Sequence, residues 1–161
     1  MERTGLKQVS GLYIGLATAY KSLNDFDKSL MLFKKTLILA QQNRDSHLEA
    51  YSLTGIANSY LELKKDISTD SAAYFGELAL TCFHKVCNDL HGEQQVLQIL
   101  GRTYALANLH SKAIDAYEQE MQVLQKIEKQ GIPQPYNLCL VYRALAKSHE
   151  KQRQYNRVVA T

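Results

Sequence analysis

The chain has 161 residues, 45% of them hydrophobic, which is enough to bury the core of one domain. Its net charge of +3 is too small for a nucleic-acid-binding surface, which needs a strong basic stripe. Residues 1–20 contain no long apolar block and the chain has three cysteines, so we expect a cytoplasmic protein without a signal peptide or membrane insertion.

A spaced pattern of a large, an aliphatic, a small and an aromatic residue recurs along the chain at positions i, i+3, i+4 and i+7. This spacing places the four residues on one face of a helix, and the small one lets a neighbouring helix approach closely. The copies are Tyr13, Leu16, Ala17 and Tyr20; Leu53, Ile56, Ala57 and Tyr60; Leu97, Leu100, Gly101 and Tyr104; and Tyr142, Leu145, Ala146 and His149.

A second helix is predicted after each of the first three copies, because a small residue is followed four places later by an aromatic one. These pairs are Ser29 with Phe33, Ala79 with Phe83, and Ala113 with Tyr117. The first such helix follows Asn24 and Asp25, which form a turn and cap signal. In the fourth copy, Val158 stands at the small position and the chain stops at Thr161, before the expected aromatic.

The irregular spacing of the copies locates the loops. Additional residues fall around 41–45, at 64–73 and before Pro135, where Gly131 and Pro133 are typical of a helix end. The insert at 64–73 contains capping residues at 68–71, so we expect it to lengthen the second helix at its start, near residue 70. The lengthened part is either a simple elaboration or a contact surface.

Together these positions resemble the tetratricopeptide repeat, whose signature is a large residue, Leu-Gly, Tyr, Ala and Phe over about 34 residues. The longer copies, with Ile56-Ala57-Asn58-Ser59-Tyr60 and Leu100-Gly101-Arg102-Thr103-Tyr104, are similar to those of LGN/Pins-type adaptors and kinesin light chains. The resemblance implies an all-α, right-handed superhelical stack of antiparallel helix hairpins. It also implies a concave groove that holds a peptide segment of a partner protein.

On this basis we expect one domain over 1–161, with repeats at about 10–43, 47–91 and 94–130 and a partial repeat at 137–161. Stacked neighbours bury the apolar faces of such repeats, and the fourth copy lacks a complete second helix. We therefore expect a fragment of a larger repeat protein, or a chain whose open C-terminal end is covered by a partner or by self-association.

The resemblance places the groove on the first helix of each repeat, at the exposed residue after the small one. The resulting peptide-binding candidates are Thr18, Asn58, Arg102 and Lys147, together with Gln98 and Arg143 one turn earlier. The same stripe includes Ile14 and Thr54, and a further exposed row is expected at Lys21, Leu61, Ala105 and Glu150. Amide side chains can bond a peptide backbone and basic ones can pair with carboxylates, so we expect an acidic partner.

A zinc site is the alternative chemistry, because His84, Cys87 and His91 would share one face of a continuous helix. No fourth ligand is evident, and Cys87 follows the small position of its repeat, where a buried thiol is typical. We therefore predict no metal, no cofactor and no catalytic residue, since phosphate-binding, dinucleotide and hydrolase motifs are missing from the sequence.

The sequence thus predicts a non-enzymatic scaffold that binds an acidic peptide of a partner protein, without nucleic acid. Two alternatives stay open. The first is a structural chain that mainly stacks on itself or on further repeats, through the apolar end around Tyr155, Val158 and Val159. A regulator of an enzyme, such as a phosphatase-modulating repeat protein, rests on analogy alone.

Overall fold

The structure, a computed structural model, describes residues 2–63 and 68–160, including all their side chains except those of residues 2–8, 86 and 87. In these ranges the chain forms seven α-helices and no strand, which confirms the all-α prediction. The helices are α1 (Glu2–Ser22), α2 (Phe26–Asn43), α3 (Ser46–Leu63), α4 (Ser68–Cys82), α5 (Leu90–Leu106), α6 (His110–Lys129) and α7 (Pro135–Val159). None of the helices in these ranges is long and apolar enough to cross a membrane.

The chain divides into two compact units, Met1–Asp89 and Leu90–Thr161. In the first unit, α1 packs against α2, α2 against α3, and α3 against α4, which continues into a π-helical turn at Phe83–Cys87. In the second unit, α5 packs against α6 and α6 against α7. Each helix therefore buries its apolar face mainly against its neighbours in sequence.

The same turn joins three pairs of helices. A residue with positive φ ends the first helix of each pair: Asn24 (59°), Arg44 (53°) and Asn108 (59°). The N–H group of the next residue donates to the carbonyl five residues earlier, as in a Schellman motif. These bonds are Asp25 to Tyr20, Asp45 to Ala40, and Leu109 to Tyr104, each 2.9 Å long. Because the turn is so short, the two helices it joins pack side by side.

Two of these turns also begin the next helix. A carboxylate oxygen of Asp25 accepts the Lys28 N–H at 3.2 Å, and one of Asp45 accepts the Leu48 N–H at 3.0 Å. Each bond satisfies a donor that the first turn of a helix leaves open. The Asn24-Asp25 signal therefore encodes both the end of α1 and the start of α2, as predicted.

Small residues form the junction of α1, α2 and α3. Ala17, Ser29 and Ser59 are all fully buried. The Ser29 hydroxyl donates to the Ala17 carbonyl at 2.9 Å, and the Ser59 hydroxyl donates to the Gly55 carbonyl at 2.8 Å. The backbones of α1 and α2 can approach this closely only because no large side chain stands between them.

Phe33 of α2 lies against the backbone of α3. A Cβ atom added to Gly55 would lie 2.5 Å from the Phe33 ring, well inside contact distance. Phe33 is buried in a cluster with Ala17, Leu32 and Ile56. Because Gly55 has no side chain, it leaves a space that the aromatic residue of the preceding helix fills.

The predicted lengthening of the second helix after the insert is confirmed. Helix α4 begins eleven residues before its small residue Ala79, whereas α2 begins three residues before Ser29. The added turns do not project freely, because Ala72 is buried and the Phe75 ring stacks on Tyr60 at 5.8 Å. Residues 64–67 of the insert lie outside the described ranges.

Two predictions of exposure on α3 were wrong. Leu61 is 2% exposed, and Thr54 is buried with its hydroxyl donating to the Ala50 carbonyl at 2.8 Å. The reason is that α3 lies between α2 and α4 and is covered from both sides. A helix in that position retains few solvent-facing residues.

Replacing Gly55 with alanine is expected to destabilise the first unit by about 1–3 kcal/mol, the usual cost of overpacking. The new methyl group must displace the Phe33 ring, which sits in a full core. Urea unfolding of the full chain, followed by circular dichroism, measures the change.

Gly15→Ala is the matched control, because Gly15 is exposed on α1 and a Cβ atom there meets nothing within 4 Å. Alanine favours a helix over glycine by about 0.5–1 kcal/mol, so this variant should gain stability. A gain of the same size for Gly55→Ala would contradict the close packing of Phe33.

Candidate functional site

The six predicted peptide-binding residues divide between the two units. Thr18 is exposed on α1 and Asn58 is half-buried on α3, both in the first unit. Gln98 and Arg102 lie on α5 of the second unit, half-buried and exposed respectively. The second unit also carries Arg143 and Lys147, which are both exposed on α7. The three basic candidates therefore all belong to the second unit.

The packing of α5 determines where Gln98 and Arg102 stand. Leu97, Leu100 and Gly101 are buried, so the helix turns the stripe of Gln98 and Arg102 away from the core. A Cβ atom on Gly101 would collide with the Tyr117 ring of α6, so this ring lies directly against the backbone of α5. The positions of the two polar residues are thus fixed by a tight helix pair.

Arg102 stands near the hydroxyl of Tyr117. The pKa of Tyr117 is raised to about 12, mainly by burial and also by the Glu120 carboxylate, while the Arg102 guanidinium partly opposes this rise. The phenol therefore stays neutral at physiological pH.

Helix α7 presents a basic surface. It begins with Pro135, which is favoured in the first turn of a helix, and it packs on α6 with Val141, Leu145 and Ser148 buried. From Asn137 onward it has five basic residues and the single acid Glu150. Arg143 and Lys147 are one turn apart, so their side chains can engage neighbouring carboxylates of one ligand.

An open depression of about 580 Å³ lies beside this basic surface on α7. It is lined by Ala146, His149, Glu150, Arg153, Gln154 and Arg157. The sequence analysis named three of these residues: Ala146 and His149 in the fourth copy of the pattern, and Glu150 in the expected exposed row. All three are exposed here, as is Tyr142.

A buried acid, Glu120 of α6, was also missed by the sequence reasoning. It is fully buried, and one carboxylate oxygen accepts the Gln94 amide N–H of α5 at 2.6 Å. Its second oxygen has no hydrogen-bond partner among the described residues. Burial raises the pKa of Glu120 from 4.5 to about 7, although the bond from Gln94 lowers it. Its spacing from Ala113 and Tyr117, on the buried stripe of α6, could have revealed it.

The alternative zinc site required one continuous helix through His84, Cys87 and His91. The expectation of a continuous helix was wrong. The π-helical turn ends at Cys87, and Asn88 adopts positive φ (45°) before α5 begins at Leu90. The three residues therefore do not share one helical face. Across the parts of the chain that the structure describes, no group of three or more metal-ligating side chains is found.

Comparison with protein-family models gave no match, and comparison with curated proteins gave none.

Replacing Glu120 with glutamine is expected to flatten the pH dependence of stability. Because the folded-state pKa of about 7 exceeds the ordinary 4.5, this carboxyl group favours folding fully below pH 4.5. Its contribution is lost as pH rises to about 7, at up to 1.4 kcal/mol per pH unit. Denaturant unfolding at pH 5 and pH 8 should therefore show a smaller loss for Glu120→Gln than for the parent chain.

Glu118→Gln provides the matched control, since Glu118 is exposed on the same helix. Groups that titrate elsewhere are common to all three proteins and cancel in the comparison. If Glu120→Gln loses as much stability between the two pH values as Glu118→Gln does, the buried carboxyl group does not govern the pH dependence.

Proposed function

We propose that this chain is a non-enzymatic scaffold of the cytoplasm that binds an acidic peptide segment of a partner protein. Arg102, Arg143 and Lys147 pair with carboxylates of that segment, and Gln98 bonds its backbone. The remaining two candidates, Thr18 and Asn58, are neutral polar residues of the first unit. The hairpins are of the tetratricopeptide type and continue as a right-handed superhelical stack.

The observation that carries this proposal is the concentration of cations on rigid helices of the second unit. Arg143 and Lys147 are exposed, one turn apart, on a helix that has a single carboxylate after Asn137. Arg102 belongs to the helix pair held by Gly101 and Tyr117. A rigid surface loses little entropy on binding, so most of the interaction free energy contributes to affinity.

The repeat assignment is supported by the packing at the patterned positions. Ser29, Ala79 and Ala113 are all fully buried, and so are Ala17 and Ala57. In the turn after α1 and in the turn after α5, the N–H group five residues beyond the aromatic residue of the copy donates to the carbonyl of that aromatic residue. This agreement in two separate units is what a repeated hairpin produces.

Self-association is a second candidate, favoured by exposed apolar residues on the terminal helices. Leu12 of α1, Leu23 directly after α1 and Val158 of α7 are 72–74% exposed. A head-to-tail contact through such surfaces would lead to stacked chains. Analytical ultracentrifugation distinguishes the two candidates, because the scaffold proposal expects a monomer at high protein concentration.

The combined change Arg143→Glu and Lys147→Glu is expected to weaken peptide binding at least about tenfold, since it replaces two attractions by two repulsions. Peptides are first selected on the parent chain from a display library of random twelve-residue sequences. Acidic sequences should be enriched, and their dissociation constants for both proteins are measured by fluorescence anisotropy.

Lys126→Glu with Lys129→Glu makes the same charge change at two exposed residues of α6. If binding depends on the location of the basic residues and not on net charge, the dissociation constant of this control should stay within about threefold of that of the parent chain. Selection of peptides without acidic residues, or equal losses in the two variants, would exclude Arg143 and Lys147 as the contact.

A further inference from the structure

One side of α7 forms a separate exposed surface, which we call the α7 flank. It consists of Tyr142, Ala146, His149, Arg153 and Arg157, spaced by three or four residues and therefore aligned along the helix. All five are exposed, and the open depression on α7 runs beside four of them. Arg143 and Lys147 follow Tyr142 and Ala146 directly, so they lie about 100° around the helix from these residues.

The corresponding surfaces of α1 and α5 are each covered by a helix. In α1, the carbonyl of Ala17 accepts the Ser29 hydroxyl of α2 at 2.9 Å, and both residues are fully buried. In α5, Gly101 is covered by the Tyr117 ring of α6. Ala146 has the same place in the pattern of α7 but is exposed. The α7 flank is therefore a surface of the kind that receives a helix elsewhere in this chain.

The charge of the α7 flank defines the helix that fits it. His149, Arg153 and Arg157 make no ion pair or hydrogen bond with other described residues. The one carboxylate beside them, Glu150, accepts a 3.5 Å bond from the Gln154 amide. A covering helix without carboxylates would bring the two arginine cations to an interface with nothing to neutralise them.

Charge also argues against a second copy of α2 as the occupant. Helix α2 has three lysines and one aspartate, so its net charge has the same sign as that of the flank. The helix that fits carries a small or aromatic residue opposite Ala146 and carboxylates one turn apart opposite Arg153 and Arg157.

We propose that the α7 flank binds an acidic amphipathic helix of a partner protein. The helix packs closely on Ala146 and beside Tyr142, and its carboxylates pair with Arg153 and Arg157 and accept a hydrogen bond from His149. This surface is distinct from the one formed by Gln98, Arg102, Arg143 and Lys147. The inference therefore stands without the function proposed above.

The test uses a fluorescein-labelled synthetic helical peptide with an alanine and phenylalanine stripe flanked by glutamates at i and i+4. Its binding to the full chain is measured by fluorescence anisotropy. Arg153→Glu with Arg157→Glu should weaken binding at least tenfold, and a peptide with lysine in place of each glutamate should not bind.

Ala146→Arg separates close docking from simple charge attraction. The added arginine blocks the approach of a helix, so docking predicts a loss of at least tenfold, whereas unspecific attraction predicts tighter binding. Ala146 is exposed, so the variant should unfold at the same temperature as the parent chain. Tighter or unchanged binding by Ala146→Arg, with unfolding unchanged, overturns the proposal.

Two further outcomes are decisive. Arg143→Glu with Lys147→Glu should leave binding of the helical peptide within about threefold, which keeps this proposal separate from the proposed function. Sedimentation of the chain alone should show a monomer. A dimer that Ala146→Arg dissociates would mean that a second copy occupies the flank, and the proposal would be wrong.

Discussion

The close approach of helix backbones at small residues is the constraint on which the rest of this structure depends. Gly55 accommodates the Phe33 ring, Gly101 accommodates the Tyr117 ring, and Ala17 accepts a hydrogen bond from Ser29. At each place a side chain from one helix occupies the space left by a small residue of a neighbouring helix. Such contacts fix the separation of neighbouring helices, and so they fix where the outward-facing polar residues stand.

This constraint also connects the core to the basic surface of the second unit. The Tyr117 ring of α6 fills the space over Gly101, the residue before Arg102 in the sequence. One turn further along α6, Glu120 accepts a hydrogen bond from Gln94 of α5. A buried carboxyl group with one unpartnered oxygen costs stability when it is ionised. The second unit therefore combines tight aromatic packing with a titrating group in the same helix pair.

Much of the fold was predictable from residue type and spacing, because small and aromatic residues at i+3 and i+4 intervals have few roles other than packing. The burial of Ala17, Phe33 and Ala113 follows directly from that pattern. The exposure of Leu61 and Thr54 was mispredicted, since the sequence does not show that α3 is covered from both sides. The continuous helix expected through His84, Cys87 and His91 was wrong, because the positive φ of Asn88, which ends this helix, has no unambiguous sequence signal.

The candidate site was predictable only in part. The exposure of Arg102, Arg143 and Lys147 follows from their positions beside buried residues, and this was anticipated. The exposure of the α7 flank was not anticipated. Ala17, Ala57 and Gly101 hold the same position in the pattern as Ala146 and are buried, whereas Ala146 is exposed. Exposure depends on which neighbour covers a helix, and a local sequence pattern does not contain that information.

The most direct test of the central claim is an NMR titration of the isotopically labelled full chain with an acidic peptide from the display selection. The account predicts that amide chemical shifts change mainly in α5 and α7, around Arg102, Arg143 and Lys147. Changes confined to α2 and α4, or spread evenly over all helices, would contradict a peptide-binding surface in the second unit.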